Sequence, residues 1–244
     1  GATTNLQLIT SIVLLPLYHP VWLAKETSVL DATINGRLIL GIGVGGEHTQ
    51  EFDAVGTSSK IRGRKANEML EVLPRLWSEE DVSYTGTTFS IDKITLKPQP
   101  VQKPGPPIWV AGRKEPAMRR AAHYGNGWYP YLYSPEQYRD SVTKIKQFAD
   151  EEGRDLSDFS WGLYQSIYID ETVEKAAEAA ASRLGSGYTY SGNWLELVGR
   201  NTVLGPPERC IERLQEYIDA GARYILFAFS SDLDTTLETV IRDI

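Results

Sequence analysis

Four glycines, at 41, 43, 45 and 46, follow the apolar run Leu38–Leu40 in the stretch GRLILGIGVGG (36–46). Gly41, Gly43 and Gly46 match G-x-G-x-x-G, the spacing that brings bare backbone up to a pyrophosphate at a strand-to-helix turn. That chemistry requires a long helix opening at the third glycine, so that its first amides hold the anion. The residues that follow, EHTQEFDAVGTSSK (47–60), are polar, lack helical apolar spacing and are broken by Gly56. No G-K-[S/T] follows, which removes a P-loop as well. The alternative is a barrel strand whose carboxyl end runs into a ligand-carrying loop. Glycines there let backbone amides approach an anion or a flat ring.

Other chemistry-bearing residues are few. His19, His48 and His123 are far apart and show no H-x-x-x-H spacing, so no metal site is expected. Cys210 is the single cysteine, which excludes an intrachain disulfide and a Cys-rich zinc site. It falls on an apolar helical stripe with Ile211, Leu214 and Ile218 and is expected to be a buried structural thiol. Glu47 and His48, just past the glycines, are possible acid/base groups but read better as an exposed loop pair. No Ser–His–Asp or paired-carboxylate spacing exists, so no catalytic residue is assigned. In GWYPYLY (127–133) strand alternation would put Trp128 on one face and Tyr129, Tyr131 and Tyr133 on the other. One set would then be core, and the other would wall a pocket.

These residues need elements to position them. LQLITSIVLL (6–15) reads as a strand closed by Pro16, 19–36 as a helix stopping near Gly36, and RLILGIGV (37–44) as a second strand. The next convincing helix begins near Ile61 and runs to 80, with Pro74 expected to kink or shorten it. Residues 81–92 read as a small hairpin turning near Thr85–Gly86, and KPQPVQKPGPP (97–107) as an extended connector. Strand 107–112, helix 115–124, strand 127–132 and a helix opening at Ser134 follow. Ser134 and Gln137 there have capping-box spacing, with Pro135 at the first helical position. Strand 159–169 and helix 172–184 come next, then a polar, Gly-rich stretch (185–205) read as a functional loop. Helix 206–221, strand 223–229 and helix 233–243 complete the chain. Six strand-then-helix units in alternation mean a parallel sheet covered by helices, either a barrel or a doubly wound sheet.

The 244 residues are 41% hydrophobic and 23% charged with a net charge of −7, which fits a soluble α/β chain. Acidity argues against nucleic acid as a partner. No Lys/Arg cluster, 18-residue apolar stretch or signal peptide points to a membrane, so the cytoplasm is the default location.

Several segments together resemble the bacterial luciferase-like family of flavin- and deazaflavin-dependent oxidoreductases. They are LPLYHPVWLAKETSVLDATINGRLILGIGVGGEHTQEF, RGRKANEMLEVLPRLW, SYTGTTFSI before KPQPVQKPGPPIWVAGR, GNGWYP, and VLGPPERCIERLQEYIDAGARYILF. The resemblance runs from about 6 to about 230 and rests on order and spacing more than on any one motif. It implies one luciferase-like (β/α)8 TIM barrel domain over 1–244, with the hairpin at 81–92 as an insertion. The six units correspond to strands three to eight, so two βα units are expected to be missing at the N-terminus. The family's catalytic histidine, where used, would lie in that part.

The resemblance also implies site residues. Thr10, Ser11 and Ile12 would form a bulge beneath the flavin ring, with a non-proline cis bond at Ser11–Ile12. Gly43, Val44, Gly45 and Gly46 would approach the cofactor. Luciferase has a phosphate-binding arginine at the position of Val44, so here the phosphate must be held elsewhere. Ala111, Gly112 and Arg113, ahead of a helix N-terminus, suit it, and Trp128 would stand beside the cofactor. The implied activity uses FMN with oxygen, or coenzyme F420 for hydride transfer, on a small organic substrate. The implied partners are a flavin reductase and a second copy in a homodimer, formed through the helix after the first strand and the helix at 61–78. The other reading is a non-catalytic flavin-binding or interaction protein with a partly lost barrel.

Overall fold

A computed structural model describes residues 3–187, 190–229 and 233–244. They divide into two compact units, the first running to 111 with 119–127 added, the second comprising 112–118 and 128 onward.

In the first unit the expected opening strand is split into β1 (Leu8–Ile9) and β2 (Val13–Leu14). Helix α1 (Pro20–Thr33) follows, with Gly36 at φ +72° beyond its end, then β3 (Leu38–Gly43), buried at every position. Residues 47–60, read from sequence without a helix, contain a short α2 (Gln50–Ala54), because Phe52 is wholly buried and fixes one turn. Helix α3 (Arg62–Ser78) continues past Pro74. Leu73, Leu76 and Trp77 around the proline are buried, and tertiary packing outweighs the lost backbone bond. The hairpin β4 (Val82–Thr85) and β5 (Ser90–Ile94) turns from the expected Gly86 through Phe89, with Gly86 N–H donating to Phe89 O. The Pro-rich connector is tied down by Gln102, whose amide donates to the buried Asp31 carboxylate and to Leu38 O at 2.7 Å each. It leads to β6 (Ile108–Val110).

β1 and β2 both pair parallel with β3, and β6 pairs parallel with β3 as well. Leu8 faces Leu38 while Val13 faces Ile42, so the first strand spends one more residue than β3 between the two contacts. That extra residue is the expected bulge at 10–12.

Helix α4 (Glu115–Tyr124) and β7 (Gly127–Trp128) contribute residues to both units. In the second unit α5 (Pro135–Glu151) opens on the full Ser134–Gln137 capping box. β8 (Ser160–Ile169) is followed by α6 (Val173–Gly187). The stretch read as a loop holds α7 (Trp194–Asn201), capped by Asn193, and β9 (Val203–Gly205); its residues 188 and 189 lie outside the described residues. Leu132, Tyr168, Ala176, Ala180, Leu184, Val198 and Leu204 form one buried cluster that gives these elements a core. α8 (Pro207–Asp219), β10 (Tyr224–Phe229) and α9 (Leu233–Asp243) complete the unit. β9 and β10 both pair parallel with β8.

One carboxylate holds the hairpin to α3. Glu68 accepts the backbone N–H groups of Thr87 and Thr88 at 2.9 Å each, and both threonine hydroxyls as well. Burial pushes its pKa up, but the four bonds outweigh burial and bring it down to about 2, from 4.5. Its folded value lies below its unfolded one, so its contribution is complete above 4.5 and is lost as pH falls toward 2. Glu68→Gln is expected to cost about 1–2 kcal/mol at pH 7, the difference between charged and neutral bonds. It should also flatten the stability profile across that acid range. Urea melts at pH 7 and pH 3 check this, and an unchanged pH profile would refute it.

Candidate functional site

The carboxyl ends of the first unit's parallel strands carry most of the residues singled out from sequence. At the bulge the Ser11–Ile12 peptide bond is cis, as the resemblance implies. Thr10 is fastened to β3, its hydroxyl donating to Gly41 O and accepting from Gly41 N–H, both at 2.9 Å. The Ile12 side chain, 38% exposed, lies over Gly43, where any Cβ would collide with Ile12 Cδ1. Gly45 has φ +65°, a conformation that favours glycine, and abuts Leu14 and Phe52. Gly46 has φ +128°, and a Cβ there would lie 3.1 Å from Arg62 Nε. The glycine run therefore keeps this backbone bare between Ile12 and a guanidinium. The helix after it, α2, begins only at Gln50 and has five residues, so the dinucleotide-turn reading fails on its own requirement.

Arg62 escapes the sequence reading, and it places a cation beside the glycine run. It occupies the first position of α3 and donates to Ser59 O at 2.7 Å. A positive charge at a helix N-terminus opposes the helix dipole, and that was the one signal in the sequence that could have exposed it.

Ala111 belongs to the same unit and donates to Ile42 O at 2.8 Å. Gly112 and Arg113 belong to the second. Gly112 has φ +128°, and a Cβ there would stand 2.7 Å from the Ala117 methyl. Its carbonyl accepts the Trp128 indole N–H at 2.9 Å. The exposed Arg113 guanidinium carbon lies 4.6 Å from the Tyr131 ring centroid, and its backbone carbonyl accepts the Tyr133 hydroxyl at 2.7 Å. Trp128, expected beside the cofactor, is fully buried, with its ring centroid 5.3 Å from that of Tyr138 and 6.0 Å from that of Tyr133. It acts on the loop through Gly112. The expected alternation fails because the strand ends at Trp128: Pro130 interrupts it and Leu132 takes φ +49°. Tyr129 and Tyr133 are accordingly buried along with Trp128.

The remaining candidates are structural. His19 caps α1, accepting Val21 N–H through Nδ1, and burial followed by Lys65 lowers its pKa. Glu47 and His48 are exposed. Cys210 is buried, and burial pushes its thiol up to about 11. Its buried helical neighbours are Leu214 and Tyr217, whereas Ile211 and Ile218 of the expected stripe are exposed. Among the described residues no group of three or more His, Cys, Asp or Glu could hold a metal.

Residues 1–224 match the sequence profile of the family described as luciferase-like monooxygenase. The oxygenase component of flavin-dependent trigonelline monooxygenase from Acinetobacter baylyi is 27% identical, covering 97% of this chain and 72% of that protein. An F420-dependent secondary alcohol dehydrogenase, solved with an F420–acetone adduct, superposes with a TM-score of 0.85 at 22% identity, over 100% of this chain and 80% of that one. The monooxygenase RslO1 from Streptomyces bottropensis superposes with a TM-score of 0.81 at 24% identity, over 98% and 76%. These likenesses show the fold, an α/β barrel of this type in incomplete form.

Proposed function

The chain belongs to the luciferase-like monooxygenase family, and from that premise we propose that it is an oxidoreductase working with FMN or coenzyme F420 on a small organic substrate. We read residues 1–244 as one luciferase-like domain. The observation that carries the proposal is the bare-backbone loop Gly43–Gly46, set between Ile12 and the Arg62 guanidinium. Such a group fits these residues: a planar ring needs close backbone approach, and its phosphate needs a cation.

Thr10, Ser11 and Ile12 would support the ring, with Gly43, Val44, Gly45 and Gly46 at its edge. In the first unit Arg62 and Ala111 would serve the phosphate; in the second, Gly112 and Arg113 are a separate candidate for holding it. Trp128 would act by holding the Gly112 carbonyl. When bound, the cofactor supplies the redox chemistry. The protein's share is to orient the ring and to keep water from it. The name of the Acinetobacter relative, an oxygenase component, supports a flavin reductase as partner if FMN is used. Among the described residues no helix is long and apolar enough to cross a membrane, and we place the protein in the cytoplasm, where reduced cofactor is made. Titration with FMN and with F420, followed by fluorescence, tests the reading. Saturable binding of one of them supports it, and binding of neither sinks it. Binding without turnover under any reductant would favour the non-catalytic reading.

We also propose a homodimer through α1. On that helix Trp22 (69% exposed), Val29 and Leu30 are exposed apolar side chains at one helical spacing. Trp22→Glu is expected to shift a dimer to monomer in light scattering at micromolar concentration. A wild-type chain that is already monomeric there refutes the dimer.

A further inference from the structure

Arg120 is a buried cation with no ion pair among the described residues. It lies on α4 in the first unit, only 9% exposed, where ionised side chains are ordinarily paired. Its hydrogen-bond partners are neutral: Asn67 Oδ1 at 2.6 Å from Nε and Gly63 O at 3.3 Å from Nη2. A Cβ on Gly63 would come within 2.9 Å of the same Nη2, so the guanidinium rests directly on the first turn of α3. The next residue back is Arg62, whose Nε would lie 3.1 Å from a Cβ placed on Gly46. Among the described residues neither arginine forms an ion pair. Acidic side chains are present on α3, but they are spent elsewhere. Glu68 is held by Thr87 and Thr88, and Glu71 accepts the hydroxyls of Tyr84 and Tyr124 at 2.8 and 3.0 Å.

Two guanidiniums thus stand at the positive end of a 17-residue helix, one of them desolvated, and among the described residues neither is ion-paired with a carboxylate. Burial lowers the Arg120 pKa; Tyr124 offsets part of this and the charge of Arg62 adds to it, for a net shift in the direction expected of a cation in an unfavourable place. Held in this way, a buried charge weakens the fold until an opposite charge arrives.

We propose that the missing counter-ion is an oxyanion, phosphate or carboxylate, bound at Arg62 and Gly46, and that Arg120 is a positioning residue whose buried charge strengthens that site at the cost of stability in the empty protein. The inference rests on the cofactor reading for the identity of the anion, but its physical content is the arginine pair. A purely structural arginine would stabilise the protein whether or not anion is present. A counter-charge waiting for its ligand does the reverse.

The test compares wild type, Arg120→Met and Arg120→Lys by thermal unfolding with sodium phosphate against sodium chloride at matched ionic strength. Wild type is expected to melt higher in phosphate. Arg120→Met is expected to melt higher than wild type in chloride and to bind phosphate about tenfold more weakly, the loss of a nearby positive charge that attracts the anion without touching it. Arg120→Lys should keep most of the phosphate response. Titration with FMN and with riboflavin, which lacks the phosphate, separates the sources of the anion. A selective loss for FMN in Arg120→Met assigns the site to the cofactor, and equal behaviour of the two flavins assigns it to an anionic substrate. Lower stability of Arg120→Met with an undiminished phosphate response, or no phosphate response in wild type, overturns the proposal. Failure of riboflavin to bind wild type would sink the flavin form of the cofactor reading while leaving this inference standing.

Discussion

Trp128→Ala is expected to destabilise the protein by about 3–5 kcal/mol, the cost of emptying a fully buried aromatic position. The indole is wholly enclosed beside Tyr133 and Tyr138, so its removal leaves a cavity that these rings cannot collapse to fill. A second loss comes from the indole N–H, which donates to Gly112 O at 2.9 Å. Gly112 cannot adjust freely, because its φ of +128° and the Ala117 methyl 2.7 Å from its Cβ position fix that turn. Trp128→Phe keeps most of the packing and gives up the hydrogen bond, about 1 kcal/mol. Urea melts of both variants measure these costs, and an Ala variant costing under about 1 kcal/mol would contradict the core placement. Cofactor titration of Trp128→Phe decides the role. A modest loss fits an indole that steadies Gly112 from behind, whereas a hundredfold loss at unchanged stability would return Trp128 to the cofactor's side.

Elements whose signals are local could be read from sequence. The Ser134–Gln137 box opens α5 where the spacing predicts, because the capping bonds are made within four residues. The bulge at Thr10–Ile12 was legible only through resemblance, since no propensity distinguishes TSI from an ordinary strand. Residues 185–205 misled for the opposite reason. Gly192 and Gly199 resemble loop punctuation, yet Asn193 caps a helix that starts just after the first and runs through the second, and Val198 is buried in a core shared with α6 and β9. Periodicity likewise misplaced the α8 stripe, since it cannot say which side of a helix meets a neighbour, and Tyr217 was buried where Ile218 was expected. The site divides in the same way. The glycine run announced a close approach, but the approaching groups, Ile12 and Arg62, are 31 and 16 residues away in sequence from the glycines they touch, Gly43 and Gly46. The arginine pair was invisible because its meaning is an absence of carboxylates, and that is a tertiary fact.

Arg62→Met is expected to weaken FMN binding by about 10- to 100-fold while leaving riboflavin within about twofold. The range follows from about 1.5–3 kcal/mol for a hydrogen bond to a charged group, at about 1.4 kcal/mol per factor of ten. Global unfolding does not confuse the result: the side chain is partly exposed, its one hydrogen bond among the described residues is to Ser59 O, and its charge opposes the dipole of α3. Gly46→Ala is an independent route to the same loss, since its methyl would stand 3.1 Å from Arg62 Nε and displace the guanidinium without removing it. Arg113→Met separates the two cationic candidates. If Arg113 alone carries the phosphate, its variant loses FMN and Arg62→Met does not. A phosphate contact of either kind predicts that high salt narrows the difference between FMN and riboflavin in wild type. Equal binding of FMN and riboflavin by wild type, in low salt, would remove the phosphate from this loop altogether. The bare backbone at Gly43–Gly46 would then have to be explained by the packing of Ile12, Leu14 and Phe52 alone.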